Sequence, residues 1–182
     1  HYWFRNIGHS TFLHTNTKDP ILKDPNVRKA ISYAINREQV VKVGMYDYTK
    51  PAHVTSLSGP MAKWHSPEIN DKENWTAFNL EKANELLDNA GYKWKNEKER
   101  INANGLPIKF DIIVVSGWSD WVRSAQVISQ NFKKIGIKAT VRTYDFGAWI
   151  VRMQQGKFQM AIGWADKGST PYNFFKGMMF SE

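Results

Sequence analysis

The sequence predicts an α/β domain in which helices pack on a mostly parallel β-sheet. In the second half of the 182-residue chain, segments 108–115, 137–144 and 158–162 are rich in β-branched residues or alternate between apolar and polar side chains, as strands do. Segments 120–135 and 146–155 separate them and carry apolar residues at helical spacing. Helical crossovers of this length join parallel strands, almost always in the right-handed sense. The order β-α-β-α-β therefore predicts the fold class.

Three helices are predicted in the first half, each starting at a residue that can cap it. The first helix is predicted to start at Asp24, which Pro25 follows, and the second at Asn36. The third is predicted to start at Asn79 and to end at Gly91. The first of these helices has one apolar face, made by Val27, Ala30, Ile31, Ala34 and Ile35.

Two segments lack the periodicity of helices or strands. Residues 44–78 contain several glycines and prolines and predict a long ordered loop. Residues 92–107 are polar and end in the turn sequence Asn104-Gly105-Leu106-Pro107. We therefore expect the core to form from the three helices and the β-α-β-α-β half.

Composition narrows the classes of function. The chain has no cysteine, which excludes disulfides, thiol catalysis and cysteine-based zinc sites. No apolar run reaches the roughly 18 residues of a membrane span. The net charge of +8 is compatible with nucleic-acid binding. Basic and acidic residues alternate, however, as in segment 93–100, and form no basic cluster. We therefore expect no nucleic-acid partner, and a basic interaction module stays only as an alternative from another class.

Motifs for catalysis are absent from the sequence. The segment Gly117-Trp118-Ser119-Asp120 resembles half of a nucleophile elbow, but the second glycine is missing. There is no dinucleotide-binding glycine motif, P-loop or HExxH, and the five histidines lack metal-ligand spacing. No pair of carboxylates is marked out for acid–base work. We expect neither an enzyme nor a bound metal or cofactor.

A candidate site lies at one edge of the predicted sheet. Ligands of open α/β sheets bind beyond the carboxyl ends of the strands, which selects the loops 116–121, 144–149 and 163–172. Each of these loops contains a tryptophan and an aspartate, and together they hold four of the eight tryptophans. The candidate ligand-binding residues are Ser116, Trp118, Asp120, Trp121, Trp164, Asp166, Lys167 and Tyr172.

The four tryptophans are not equivalent. Trp118 and Trp164 are flanked by glycine and polar loop residues and are the best candidates for ligand contact. Trp121 belongs to a first helical turn and is a candidate for an inward position, whereas Trp149 shares an apolar stripe with Ile150 and Met153 and is expected in the core. Indole faces beside hydrogen-bonding groups suit a sugar ring, and a peptide is the second fit.

Three segments resemble one family. Residues 12–38 include Val27-Arg28-Lys29-Ala30-Ile31 and Ala34-Ile35-Asn36-Arg37, which resemble the pattern V-R-x-A-I-x-x-A-I-D-R of the oligopeptide-type (family 5) extracellular solute-binding proteins of bacterial ABC transporters. Residues 79–92 resemble the family helix D-x-x-K-A-x-x-L-L-x-x-A-G-Y, and residues 132–164 resemble its closing α/β portion. Asn36 and Asn79 stand where Asp is common, and both residue types cap helices.

The resemblance implies a fold and a role. Residues 1–182 are expected to form a single domain, the isolated second lobe of a larger two-lobed protein with a type II periplasmic-binding-protein-like fold. The missing lobe would bear both chain termini. Family members capture a solute between lobes that close by a hinge and deliver it to an ABC permease in the membrane. The implied location is periplasmic or extracellular, with membrane association through the permease.

The resemblance also bears on the ligand. In peptide-binding relatives, an aspartate shortly after the matching Gly-Trp contacts the peptide amino group, and Asp166 is the nearest equivalent. The surplus of tryptophan at the sheet edge favours an oligosaccharide, above all β-linked glucose oligomers. Sugar and peptide both stay open at this stage, as do ligand length and oligomeric state.

Overall fold

Six strands and six α-helices lie in the described part of this computed structural model, which comprises residues 10–66, 68, 74–164 and 170–179. The strands are β1 (Thr11–Thr15), β2 (Lys93–Asn96), β3 (Glu99–Ile101), β4 (Lys109–Val115), β5 (Lys138–Tyr144) and β6 (Met160–Trp164). The helices are α1 (Pro25–Ala34), α2 (Arg37–Gly44), α3 (Leu80–Asn89), α4 (Ser119–Lys133), α5 (Phe146–Gln154) and α6 (Pro171–Met179).

The main sheet has the strand order β1-β6-β4-β5. Strand β4 pairs in parallel with β5 along its whole length and in parallel with β6 at Ile112 and Ile113. This confirms the predicted β-α-β-α-β half, with the last strand starting two residues later than expected. Strand β1 adds to β6 in the antiparallel direction, a pairing that the sequence did not predict.

The order of the strands places α4 and α5 on opposite faces of the sheet. The chain moves from β4 outward to β5 through α4 and then returns across β4 to β6 through α5. Because both crossovers are expected to be right-handed, a reversal of direction puts their helices on opposite sides. The burial of β4 reflects this arrangement. Its side chains are at most 3% exposed on both faces of the sheet, with Ile112 and Val114 on one face and Ile113 and Val115 on the other. Both faces of the central strand are therefore covered, as in a parallel sheet.

The helix starts agree with the sequence prediction. The side chain of Asp24 accepts a hydrogen bond from the backbone of Asn26, and Asn36 and Asn79 accept from the backbone three residues further on. Helices α1 and α3 pack together through residues that are at most 3% exposed, namely Val27, Ala30, Ile31, Ala34, Ala83 and Leu87. No helix among the described residues is long and apolar enough to cross a membrane.

The segments without periodicity contain more structure than the sequence predicted. The long loop 44–78 includes a short 3₁₀ helix, Gly59–Trp64. Segment 92–107 forms an antiparallel hairpin of β2 and β3. All four residues of β2 are exposed, so this strand has no apolar alternation by which it could have been found.

A buried arginine attaches this hairpin to the rest of the domain. Arg100 of β3 has no exposed surface. Its guanidinium donates to a carboxylate oxygen of Asp88 at 2.7 Å, to the side-chain oxygen of Asn84 at 2.8 Å and to the carbonyl of Ile135 at 3.1 Å. It also donates to the carbonyl of Tyr92. One side chain thus joins the hairpin to α3 and to the end of α4.

A glycine makes room for the arginine. A Cβ at Gly136 would lie 2.7 Å from the Trp94 ring and 2.8 Å from Cγ of Arg100, and its φ of +74° is in the left-handed region. The Trp94 ring in turn lies 4.5 Å from the guanidinium. Gly136, whose positive φ lets the chain turn after α4, therefore also admits the hairpin.

We predict that Arg100→Lys lowers the free energy of unfolding by about 2–4 kcal/mol, because an ammonium has only three donors on one atom and cannot reach the four acceptors that the guanidinium binds. Urea denaturation measures the loss. The matched control is Arg142→Lys. The ion pair of Arg142 with Asp111 lies at the surface, where the two side chains are 55% and 39% exposed, so this substitution should lower the free energy of unfolding far less. Equal losses in the two variants would contradict the anchoring role of Arg100.

Candidate ligand-binding site at the carboxyl ends of the strands

Five aromatic rings meet where the parallel strands end, and we call them the aromatic cluster. Trp118 follows β4 and Trp121 lies in the first turn of α4. Phe146 and Trp149 belong to α5, which starts directly after β5, and Trp164 is the last residue of β6. The carboxyl ends of three strands thus supply one continuous group of rings, because parallel strands end at the same edge.

The rings of the aromatic cluster contact one another closely. Trp118 and Trp121 meet edge to face with centroids 4.6 Å apart, and Trp164 lies 5.4 Å from Trp149 and 5.7 Å from Trp121. Centroid separations of this size and tilted geometries are those that aromatic quadrupoles favour. Each ring is therefore held in place by its neighbours.

The aromatic cluster has a buried base and an exposed surface. Trp149 is 2% and Trp121 9% exposed, whereas Trp118 and Trp164 are each 37% and Phe146 48% exposed. The planes of the three exposed rings differ by only 16–32°, with centroids 5.9–6.4 Å apart. Three half-exposed rings of similar orientation therefore rest on two rings that cannot move easily.

The sequence identified most of these rings. The structure brings Trp118 and Trp164 together and leaves both accessible, while Trp149 lies in the core as expected and Trp121 is largely buried. Their contact with a ligand stays a prediction. The sequence analysis did not include Phe146 among the candidates, because tryptophans were the residues that set this edge apart. Its position directly after the cap residue Asp145, at the carboxyl end of a strand, is the signal that would have found it.

Three of the five remaining candidates lie within the described residues. Ser116 is exposed, and its backbone N–H donates to the carbonyl of Tyr144 at 2.6 Å, which joins the loops that follow β4 and β5. Asp120 is half-buried in the first turn of α4, and Tyr172 in α6 is 71% exposed. The remaining two candidates, Asp166 and Lys167, lie outside the described residues.

A histidine and a glycine lie beneath the cluster. A Cβ on Gly163 would be 3.0 Å from the ring of His14 in β1 and 3.3 Å from the ring of Trp149. The absence of a side chain at Gly163 thus allows both rings to approach β6. Nε2 of His14 and Nε1 of Trp149 are buried and have no hydrogen-bond partner among the described residues. Burial lowers the pKa of His14 below 6.5, and the backbone of Trp164 opposes this only in part.

The site offers ring faces and scattered hydrogen-bonding groups. Within the described ranges, no group of three histidine, aspartate or glutamate side chains is arranged to hold a metal ion. Apolar faces flanked by polar side chains bind a ligand by stacking and hydrogen bonding.

Residues 4–182 match the model of a family described as "Bacterial extracellular solute-binding proteins, family 5 Middle". The dipeptide-binding protein of Escherichia coli K12 is 26% identical over 171 residues, which are 93% of this chain and 29% of that protein. The chain is also similar to the solved structure of a mannohexaose-bound periplasmic oligopeptide-binding protein of an ABC transporter from Thermotoga maritima. That likeness has a TM-score of 0.88 at 27% identity and covers 96% of this chain and 34% of the other.

A further similar structure is the ABC transporter-associated periplasmic binding protein DppA from Helicobacter pylori in complex with the peptide STSA. It has a TM-score of 0.73 at 25% identity and covers 92% of this chain and 29% of the other. The chain thus spans about a third or less of the length of these relatives.

We predict that the stability of the protein falls as the pH drops below about 6.5, in part through His14. Because burial lowers the pKa of His14, the unfolded state binds more protons in this range, and protons therefore favour unfolding. Urea denaturation at a series of pH values measures the free energy of unfolding. Below pH 6.5 this free energy should decrease less for His14→Gln than for the unsubstituted protein. Between pH 7.5 and 8.5 the difference between the two proteins should not change, since a histidine is neutral there. Identical pH dependences would refute the assignment.

Proposed function

Since the chain belongs to family 5 of the bacterial extracellular solute-binding proteins, we propose that it is the ligand-binding lobe of such a protein and captures an oligosaccharide on the aromatic cluster. The observation that carries the proposal is the set of half-exposed rings, Trp118, Phe146 and Trp164, at the carboxyl ends of the strands. This is the edge at which open α/β sheets bind ligands.

The chemistry of a sugar supports this assignment. One face of a pyranose ring presents C–H groups that stack on an aromatic ring, and its hydroxyls need hydrogen-bond partners at the rim. Ser116 and Asp120 are the described polar candidates next to the cluster, and Phe146 now joins the stacking residues. The similarity to a Thermotoga maritima protein solved with mannohexaose is consistent with a sugar ligand. β-linked glucose oligomers are our specific proposal.

The transport role follows from the family. We infer that residues 1–182 form a single lobe, that a second lobe of the same protein closes over the ligand, and that the loaded protein docks on an ABC permease. The small share of each relative that the chain spans supports this division into lobes. The protein would then act in the periplasm or outside the cell, and it would bind its solute without converting it.

A peptide ligand is the second candidate. The E. coli relative is named a dipeptide-binding protein, and the H. pylori relative was solved with a peptide. In this reading Asp166 pairs with the peptide amino group, and the aromatic cluster accommodates peptide side chains.

We predict that cello-oligosaccharides change the tryptophan fluorescence of the two-lobed protein in a saturable manner. Trp118→Ala and Trp164→Ala should each weaken binding by about tenfold or more, because each removes one stacking face. The matched control is Trp75→Ala, since Trp75 is 40% exposed and lies against Lys29, away from the cluster. Unchanged affinity in both cluster variants would overturn the stacking assignment.

Calorimetry with peptide and sugar pools separates the two ligands. If the ligand is a peptide, Asp166→Asn should weaken its binding by about tenfold or more, because a charged hydrogen bond to the amino group is lost. A sugar that binds equally well to the Asp166→Asn variant would favour the oligosaccharide. Binding of neither class would reject this site as a site for sugars or peptides.

A further inference from the structure

A cavity of about 380 Å³ lies between β1, α1, α2 and the loop around residues 52–56. None of the five rings of the aromatic cluster lines it. Its volume is within the range of small-molecule sites, roughly 300–1,000 Å³. Thr11, which contributes to the lining, is exposed, so solvent reaches the cavity.

The lining of this cavity is divided between apolar and cationic side chains. The apolar part includes Leu13, Ile31, Ile35, Val40 and Ile128. The cationic part consists of Arg28 and Arg37, with His53 as a further nitrogen-bearing ring. None of the described residues that line the cavity carries a carboxylate. The cavity is therefore amphipathic and positively charged.

The two arginines lie on the same side of α1. Arg28 and Ser32 are four residues apart, so they share one face of the helix. Ser32 holds the second arginine, because Nη2 of Arg37 donates to its hydroxyl at 2.8 Å and Nη1 to its carbonyl at 3.0 Å. The guanidinium of Arg28 thus lies at the amino end of α1 and that of Arg37 at its carboxyl end, and both side chains line the same cavity.

Within the described part of the chain, both guanidiniums are bonded only to neutral oxygens. Nη1 of Arg28 donates to the carbonyls of Leu22 and Lys23, and Nη1 of Arg37 donates to the carbonyl of Thr76. The ion pairs within the described ranges involve other residues. Nε and Nη2 of Arg28 make no hydrogen bond to a described residue, so the fork that binds a planar or tetrahedral oxyanion is available.

The charge on Arg37 is incompletely compensated. Burial lowers the pKa of Arg37 to about 10, so the side chain is protonated at neutral pH but poorly solvated. An anion next to it would restore the charge–charge stabilisation that burial removes.

We infer that this cavity binds a small organic anion with an apolar body, either a carboxylate or a phosphate monoester. The anionic head pairs with the free fork of Arg28, Arg37 adds a second positive charge to the same cavity, and the body lies against Leu13, Ile35 and Ile128. The site is separate from the aromatic cluster, so it does not depend on which solute that cluster binds.

Titration of the ¹⁵N-labelled protein tests the inference. Hexanoate and phenyl phosphate serve as carboxylate and phosphate probes, and hexan-1-ol serves as the uncharged probe. At least one anion should cause saturable chemical-shift changes at the amides of Thr11 and Ser32. The anion that binds more tightly identifies the head group. Shifts at neither amide, or equal shifts with hexan-1-ol, would overturn the anion site.

Substitution gives an independent measurement. Arg28→Gln should raise the dissociation constant of the bound anion about tenfold or more, because it removes a charged hydrogen-bonding fork. The matched control Arg152→Gln removes a charge that lies on the Tyr144 ring, outside the cavity, and should change the constant by less than about twofold. Equal effects of the two substitutions would show that the anion responds only to the net charge of the protein, and this would overturn the anion site. If Arg28→Gln does not fold, the titration of the unsubstituted protein decides alone.

Discussion

The structure depends on one constraint, which is that both faces of the central strand β4 must be covered. Isoleucine and valine side chains alternate between the two faces of β4 and are almost fully buried on both. The chain meets this requirement by moving outward to β5 and then back across β4 to β6, so that α4 and α5 pack on opposite faces. The same reversal brings the ends of three strands to one edge, and the aromatic cluster forms there.

The aromatic cluster is both core and surface. Trp149 and Trp121 complete the apolar interior, and the same two rings support Trp118 and Trp164, whose outer parts remain exposed. The binding that we propose for this cluster would need little reorganisation, because the exposed rings are already fixed by packing. Gly163 contributes by leaving space for two rings beside β6.

Three arginines show how differently one residue type can be used in this fold. Arg100 is fully buried and pairs with Asp88, and so it joins the hairpin to the helices. Arg28 and Arg37 donate to backbone carbonyls and a hydroxyl, and no carboxylate of the described residues forms an ion pair with either of them. The difference lies in the presence or absence of a carboxylate.

The sequence by itself determined the local elements and indicated the sheet edge at which we propose that a ligand binds. Capping residues and apolar spacing are local properties, so Asp24, Asn36 and Asn79 marked three helices correctly, and the order of strands and helices predicted the parallel pairs. Only the tertiary structure decided the antiparallel pairing of β1, the exposed hairpin around Arg100, the place of Phe146 in the cluster and the cavity beside Arg37. Each of these depends on contacts between residues distant in the chain, which leave no periodic pattern in the sequence.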